Sequence, residues 1–191
     1  HIEKIYAASQ LPAVFHLVTP MYQEFVEYLL DKGWQEKVGA AFMVYDIVGS
    51  TDDAEILEEM NLTILNEDSP TADFLALHSD EILESIMSSY PARYLSIRRD
   101  GVTVATARLA ISESWAIVTR LNVAQSQRRQ GLAELLMKSA ISFAYELGAT
   151  KMCLQVDRSN PGALALYEKM GFRVHHTYSF IERENRDACA C

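Results

Sequence analysis

The chain turns from strand to helix at Gln125-Ser126-Gln127-Arg128-Arg129-Gln130-Gly131-Leu132 and again at Asn160-Pro161-Gly162-Ala163-Leu164-Ala165-Leu166-Tyr167. Each stretch follows a short apolar run and precedes apolar residues at helical spacing. Gly131 and Asn160-Pro161 mark the helix starts, because glycine tolerates tight turns and an Asn-Pro pair is a common helix opening. The alternation of strand and helix predicts an α/β fold.

Strands are predicted on both sides of these helices, and Asp100-Gly101 is predicted to be the hairpin turn between the first two. The predicted strands are Arg93–Arg99, Val102–Ile111, Trp115–Val123 and Lys151–Val156, with one or two final strands over Phe172–Ile181. Three antiparallel strands followed by helix, strand, helix and strand predict a mixed, mostly antiparallel sheet flanked by helices. A smaller α/β segment is predicted to precede it.

That N-terminal segment is predicted to hold strands at Ala13–Val18 and Phe42–Val48. Thr19-Pro20 and Ser69-Pro70 both resemble a cap followed by a first helical proline, which predicts a helix over Met21–Lys32 and a long helix ending near Ser89. The predicted domains are residues 1–89, residues 90–183 and a tail over residues 184–191.

The segment Val14–Ile47 repeats the order of elements in Met152–Ile181. When Gly33-Trp34 is aligned with Gly171-Phe172, Leu29 stands at the position of Tyr167. We interpret the first segment as a degenerate copy of the second that lacks its chemistry.

Net charge is −9 and is unevenly placed. Residues 1–91 hold three Lys or Arg against 17 Asp or Glu, whereas residues 92–183 hold 13 against seven. This asymmetry suits an enzyme that binds an anionic cofactor and a cationic substrate, although a merely solvated acidic surface explains the first half equally well.

Other classes of function are disfavoured by composition. No basic stripe with interleaved aromatics points to nucleic acid, no apolar run is long enough for a membrane helix, and the histidines lack metal-ligand spacing. The three cysteines form no disulfide framework and no signal segment is recognisable, so we predict a cytoplasmic protein.

The first helix start has the chemistry of an anion site. Free N–H groups at a helix N-terminus bind phosphate, Gly131 lets a diphosphate approach the backbone, Ala133 keeps most of that clearance, and Arg128 and Arg129 add charged donors. For this stretch alone, an ordinary loop with basic residues before a helix is the favoured interpretation. At the second helix, Tyr167 lies two turns beyond Asn160; capping accounts for Asn160, and core packing is the commoner role of such a tyrosine. Its phenol is also a suitable acid for a departing thiolate.

Taken together, the two stretches resemble the GNAT superfamily of acyl-CoA-dependent N-acyltransferases. The resemblance is carried by Arg128-x-x-Gly131-x-Ala133, then Leu154-Gln155-Val156, then Asn160-x-x-Ala163-x-x-x-Tyr167 and Gly171-Phe172. It covers about residues 92–183. Leu11–Leu17 with the following helix also resembles the linker of longer bacterial members, in which a degenerate lobe precedes the active one.

The resemblance implies an acetyl-CoA-dependent transferase and no metal. The pyrophosphate would bind the backbone of residues 129–134, the pantetheine would pair with Leu121 and Val123 and bond to Asn160, the Val123 N–H would polarise the thioester carbonyl, and Tyr167 would protonate the thiolate. The implied coenzyme-binding residues are Leu121, Asn122, Val123, Arg128, Arg129, Gln130, Gly131, Leu132, Ala133, Glu134, Asn160, Ala163 and Tyr167.

One departure from the family concerns the general base. Many members carry a glutamate on the third strand, but Trp115–Val123 contains no carboxylate. A base from the N-terminal half, or a chain of waters, is therefore expected. The acceptor is expected to be a small-molecule amine and the protein a monomer or homodimer. A catalytically silent coenzyme-binding module and a protein N-terminal acetyltransferase are the alternatives.

Overall fold

The computed structural model describes residues 2–50, 54–78 and 90–183. Its strands are β1 (Ala13–Thr19), β2 (Gln35–Asp46), β3 (Leu62–Glu67), β4 (Ala92–Arg99), β5 (Val102–Ser112), β6 (Trp115–Val123), β7 (Lys151–Asp157) and β8 (Arg173–Arg183). Its helices are α1 (Ile2–Ala8), α2 (Gln23–Asp31), α3 (Ala54–Glu59), α4 (Ala72–Ala76), α5 (Leu132–Glu146) and α6 (Pro161–Lys169).

The chain divides into two compact units. The terminal unit comprises His1–Met43 with Gln155–Cys191, and the central unit comprises Val44–Leu154. This division follows spatial contacts. It does not test the predicted domain boundary between residues 89 and 90, which stays a prediction.

In the central unit the strand order is β7-β6-β5-β4-β3. Neighbours are antiparallel except β6 and β7, which are parallel. Asp100 and Gly101 both have positive φ, 50° and 78°, as a tight hairpin turn requires, so the predicted turn between β4 and β5 is confirmed. The mixed, mostly antiparallel sheet matches the predicted fold class.

Among the described helices of the central unit, α5 buries the most residues, and it packs against β4, β5 and β6. Small residues on β5, among them Ala105 and Ala107, are fully buried and leave room for larger side chains. The apolar side chains that α5 buries are Leu132, Leu135, Leu136, Met137, Ala140, Ile141 and Ala144. The buried residues begin with Leu132, the first residue of α5, so packing against the sheet fixes the helix start directly after Gly131.

In the terminal unit β8 lies between β1 and β2. β1 pairs with β8 in antiparallel register from Ala13 opposite Arg183 to Thr19 opposite Thr177. Its core is formed by Ala13, Leu17, Val26, Leu29, Trp34 and Ile181. Here β1 and β8 carry apolar residues toward α2, which explains why two sequence-distant ends fold together.

The repeated order of elements that the sequence predicts has a structural counterpart within the terminal unit. Helices α2 and α6 both end before a glycine of positive φ. Beyond each glycine an aromatic N–H donates back into the helix, from Trp34 to the Leu29 carbonyl at 3.1 Å and from Phe172 to the Tyr167 carbonyl at 2.9 Å. Leu29 is therefore the structural equivalent of Tyr167, as the alignment predicts, and it is a core residue.

Two predicted helix starts are wrong. The Thr19 side chain bonds to Thr177 on β8 instead of capping a helix, and α2 begins only at Gln23. At the second site the Thr71 hydroxyl, and not Ser69, caps α4 by accepting from the Phe74 N–H at 3.2 Å. The predicted helix beyond it, toward Ser89, falls largely on residues 79–89, which lie outside the described residues, as does the tail.

Strand β2 begins at Gln35, earlier than predicted. Its polar start is held by cross-strand pairs: Glu36 accepts from Ser179 and lies 3.4 Å from Arg158, and Lys37 lies 3.9 Å from Glu182. Because these partners come from the far end of the chain, local hydrophobicity gave no sign of the strand.

Candidate functional site

Strand β6 leads directly to the start of α5. The Ala124 N–H donates to the Val104 carbonyl at 2.9 Å, and a short 3₁₀ turn over Gln125–Gln127 follows. The chain then passes through Arg129, at φ 65°, to Gly131, at φ 79°. The predicted stretch Arg128–Glu134 is thus held at the end of a sheet strand, as a strand-loop-helix connection.

Gly131 is the residue that precedes α5 and begins its hydrogen bonding. Its carbonyl accepts from the Leu135 N–H at 3.0 Å, and its lack of a side chain leaves the first turn without a side-chain cap. A Cβ placed on Gly131 would meet nothing within 4 Å. The space before the helix is therefore open, and its first N–H groups point toward it, which is how a helix N-terminus receives an anion.

Arginine side chains surround this start. Arg128 donates from Nε to the Val123 carbonyl at 3.1 Å, which ties the loop to the end of β6. Arg99, at the end of β4, donates to Gln127 and, at 2.7 Å, to Gln130. Sequence reasoning missed Arg99, whose proximity follows only from the register of β4, β5 and β6. These cations raise the positive potential that the helix dipole supplies.

The last residues of β6 expose backbone groups to one side. Pairing of β6 with β7 runs from Trp115 to Val118, and β6 continues to Val123 beyond the end of that ladder. Its register with β5 shifts at a bulge, where Arg120 has φ 56°. Because Ala124 bonds to Val104, Ala105 and Val123 form a non-hydrogen-bonded pair. The N–H and carbonyl of Val123 therefore point away from β5, as the predicted thioester contact requires.

The segment after α4 lies against the same part of the sheet. The Asn122 side-chain amide donates to the Leu77 carbonyl at 2.6 Å. This side chain therefore has a structural role whether or not it also contacts a ligand. Next to it, His78 Nε2 and Thr106 Oγ1 are 3.1 Å apart. The sequence gave no sign of this contact, because 28 residues separate the two side chains.

In the terminal unit Asn160 caps α6. Its side-chain oxygen accepts from the Ala163 N–H at 3.0 Å, and its carbonyl accepts from Leu164 at 3.1 Å. Pro161 occupies the first turn, where a missing N–H costs nothing. The cap uses Oδ1 and the Ala163 N–H and does not involve Nδ2, which can donate to a ligand.

Tyr167 lies on α6 with only 7% of its surface exposed. Its ring packs against Phe172 at a centroid distance of 5.8 Å. Burial raises the pKa of Tyr167 to about 12. The phenol is therefore fully protonated at neutral pH and can act only as a proton donor.

Each unit thus assembles one half of the predicted set. The central unit brings together Leu121–Val123 and Arg128–Glu134, and the terminal unit brings together Asn160, Ala163 and Tyr167. Among the described residues no group of three or more His, Cys, Asp or Glu side chains is placed to hold a metal ion. None of the described helices combines the length and apolarity of a membrane span.

Two relatives of this chain carry the names of N-acetyltransferases. A Bacillus subtilis (strain 168) protein provisionally named [ribosomal protein bS18]-alanine N-acetyltransferase is 30% identical over 94 residues, 49% of this chain and 62% of its own length. The Arabidopsis thaliana protein N-alpha-acetyltransferase MAK3 is 37% identical over 65 residues, 32% of this chain and 34% of its own length. The chain therefore spans less than two thirds of either relative.

A solved structure shows the same fold. A GCN5-related N-acetyltransferase from Kribbella flavida superposes with a TM-score of 0.69 at 22% identity, over 98% of this chain and 74% of that one. Residues 58–172, more than half of the chain, match the acetyltransferase (GNAT) family. That match includes the Gly131 helix start, Asn160 and Tyr167, and the chain belongs to this family.

Proposed function

We propose that the chain transfers an acetyl group from acetyl-CoA directly to a primary amine while both substrates are bound. The observation that carries the proposal is the uncapped, glycine-led start of α5, which follows a strand whose last residue turns its N–H away from β5. The connection from β6 to α5 thus carries first a hydrogen-bond donor for a carbonyl, the Val123 N–H, and then an anion site, the start of α5. That succession suits an acyl group attached to a diphosphate carrier.

The proposed roles follow from these positions. Backbone N–H groups between Arg129 and Glu134 hold the pyrophosphate, with Arg128 and Arg99 adding positive charge. The pantetheine bonds along Leu121–Val123, and the Val123 N–H donates to the thioester oxygen as negative charge develops on it.

On α6 we propose that Nδ2 of Asn160 binds the pantetheine and that the Tyr167 phenol protonates the leaving thiolate. Burial of Tyr167 supports this role only in that it keeps the phenol protonated at neutral pH, which is the form that a proton donor must have. Holding amine and thioester together supplies a further large part of the rate.

The acceptor is proposed to be a small, positively charged amine, because the N-terminal half of the chain is acidic and would attract it. A second candidate is the N-terminal amine of a protein, because two relatives carry names of that kind. The cytoplasmic location, the monomeric or homodimeric state and the remnant N-terminal lobe stay predictions.

Thiol release tests the function. Purified protein is mixed with acetyl-CoA and spermidine, lysine, glucosamine or a peptide beginning with alanine, and free coenzyme thiol is measured. Release with an amine, and not without one, supports direct transfer. Binding of acetyl-CoA by calorimetry with no release from any amine would leave a silent binding module, and no binding at all would overturn the proposal.

A further inference from the structure

We propose that Arg99 is a positioning residue for the coenzyme, which holds the loop before α5 in the shape that binds a diphosphate. This inference rests on the proposed function and lies wholly within the central unit. A site made of backbone N–H groups binds an anion well only if the backbone already has the bound shape. Whatever fixes the loop therefore contributes to coenzyme affinity.

The loop contains two residues in the left-handed region of backbone space. Arg129 has φ 65° and Gly131 has φ 79°, with Gln130 between them. Glycine adopts this conformation readily, but for an arginine it costs conformational free energy and persists only where neighbouring contacts enforce it. Because Arg129 is exposed, burial of its own side chain does not supply those contacts.

Arg99 supplies contacts on both sides of this strained residue. Its Nη1 donates to the side-chain oxygen of Gln127 and, at 2.7 Å, to that of Gln130. The two hydrogens of one guanidinium nitrogen can serve both oxygens, and hydrogen bonds from a charged donor are stronger than neutral ones. One side chain thus joins the two residues that flank Arg128 and Arg129.

The sheet explains why Arg99 reaches this loop. Arg99 ends β4 and pairs with Val102 at the start of β5, and the bond from Ala124 to Val104 holds the end of β6 beside the same part of β5. The end of β4, the start of β5 and the end of β6 therefore meet at one edge of the antiparallel strands. The loop is thereby tied to a strand, which is a more rigid support than another loop.

Arg99 differs from the other arginines of β4 in what it binds. Arg93 pairs with Asp68, and Arg98 pairs with Asp73 at 2.6 Å. Among the residues that the structure describes, the side-chain partners of Arg99 are two neutral amides, so no carboxylate there cancels its charge. Of these three arginines, Arg99 is the one that holds the loop, and its uncancelled charge suits a place beside a diphosphate.

Arg99→Met tests the inference, because methionine keeps an unbranched apolar stem and removes every donor. Calorimetry with acetyl-CoA should show a loss of affinity of about tenfold, since the loop loses charge-assisted hydrogen bonds. Turnover at saturating coenzyme should stay nearly constant, because no reacting group is removed. Arg98→Met, which removes an arginine from the neighbouring position of β4, should leave the affinity unchanged.

A combined variant separates positioning from direct contact with the coenzyme. Gln127→Ala with Gln130→Ala removes both acceptors and leaves Arg99 in place, so it should cause a similar loss of affinity even if Arg99→Met folds poorly. Adding Arg99→Met to that pair should cost less than about threefold more, because interactions that act as one unit are not lost twice. A further loss of about threefold or more would mean that Arg99 binds the diphosphate itself, which overturns the inference while the proposed function stands.

Acetyl-pantetheine, which has the thioester but no diphosphate, gives a second measurement. With an amine of the thiol-release panel, Arg99→Met should lower kcat/KM for acetyl-CoA and not for acetyl-pantetheine. An equal fall with both would show a general disturbance of the site and overturn the inference. Unchanged acetyl-CoA affinity in Arg99→Met would also overturn it, and the proposed function would stand. If the unsubstituted chain does not bind acetyl-CoA, the proposed function fails and this inference fails with it.

Discussion

Helices α5 and α6 begin in opposite ways. The start of α6 is completed by the Asn160 side chain, which accepts from Ala163 at 3.0 Å. The start of α5 has glycine in that position and receives no side-chain cap. Since N–H groups at a helix end need a partner, the comparison teaches that the cap lowers this need at α6, whereas it stays at the start of α5, where we propose that the coenzyme diphosphate binds.

The largest effect is expected at the uncapped helix. Gly131→Glu should weaken acetyl-CoA binding by at least about 100-fold, because a carboxylate placed against a diphosphate costs several kcal/mol. Calorimetry on folded protein measures the loss. If Gly131→Glu still binds acetyl-CoA with unchanged affinity, the α5 start is not the anion site.

Gly148 offers a matched control for the backbone strain of such a substitution. Gly131 and Gly148 have φ of 79° and 84°, and an added Cβ meets nothing within 4 Å at either. Gly131→Ala and Gly148→Ala should therefore each lose about 1 kcal/mol of unfolding free energy, while only the first changes coenzyme affinity.

At the capped helix the next largest effect is on turnover. Tyr167→Phe should reduce kcat by about 100-fold or more and change acetyl-CoA affinity little, because it removes one proton donor and leaves the ring packed on Phe172. Stopped-flow thiol detection measures the change. Unaltered turnover would remove Tyr167 from the mechanism and leave it a core residue.

These two starts were predictable from sequence because their signals are local. Gly131 and Asn160-Pro161 sit at the residues where the helices begin, and Asp100-Gly101 forms its hairpin turn through positive φ at two adjacent residues. Thr19 has a similar local pattern, but the helix start predicted from it is wrong. Its side chain bonds to Thr177 on β8, 158 residues away, and therefore does not cap a helix. Local rules hold where no distant strand competes.

The contacts that complete the site are long-range and could not be predicted in this way. Arg99 reaches Gln130 across 31 residues, and His78 reaches Thr106 across 28. Neither pair has a motif, since each depends on strand register and on the bulge near Arg120. The raised pKa of Tyr167 is likewise a product of burial and is invisible in the spacing of α6.

Burial of Tyr167 also predicts a pH effect on stability. Its pKa is raised from 10.0 to about 12, so the folded chain holds the proton more tightly than the unfolded chain. This contribution is fully present below about pH 10 and is lost as pH rises through about 12, a fall of about 2 to 3 kcal/mol in unfolding free energy. Urea unfolding at about pH 9 and about pH 11 should show about half of this fall, roughly 1.3 kcal/mol, in the unsubstituted chain.

Tyr167→Phe should lack this part of the alkaline loss. Tyr145→Phe, at a tyrosine that is 49% exposed, should lose stability with pH as the unsubstituted chain does. Equal alkaline losses in all three proteins would contradict the burial of a protonated phenol at residue 167.

The smallest effects separate the two duties of Asn160. Asn160→Asp keeps an oxygen for the Ala163 N–H and loses Nδ2, so unfolding free energy should stay nearly constant while acetyl-CoA affinity falls about fivefold, the value of one hydrogen bond. Asn160→Ala should lose the same affinity and also about 1 kcal/mol of stability. Thr71→Ala, which removes the cap of α4, should lose stability without affinity. If Asn160→Asp binds acetyl-CoA as tightly as the unsubstituted chain, Asn160 only caps α6 and does not contact the coenzyme. The start of α5 would then bind the ligand and the start of α6 would not.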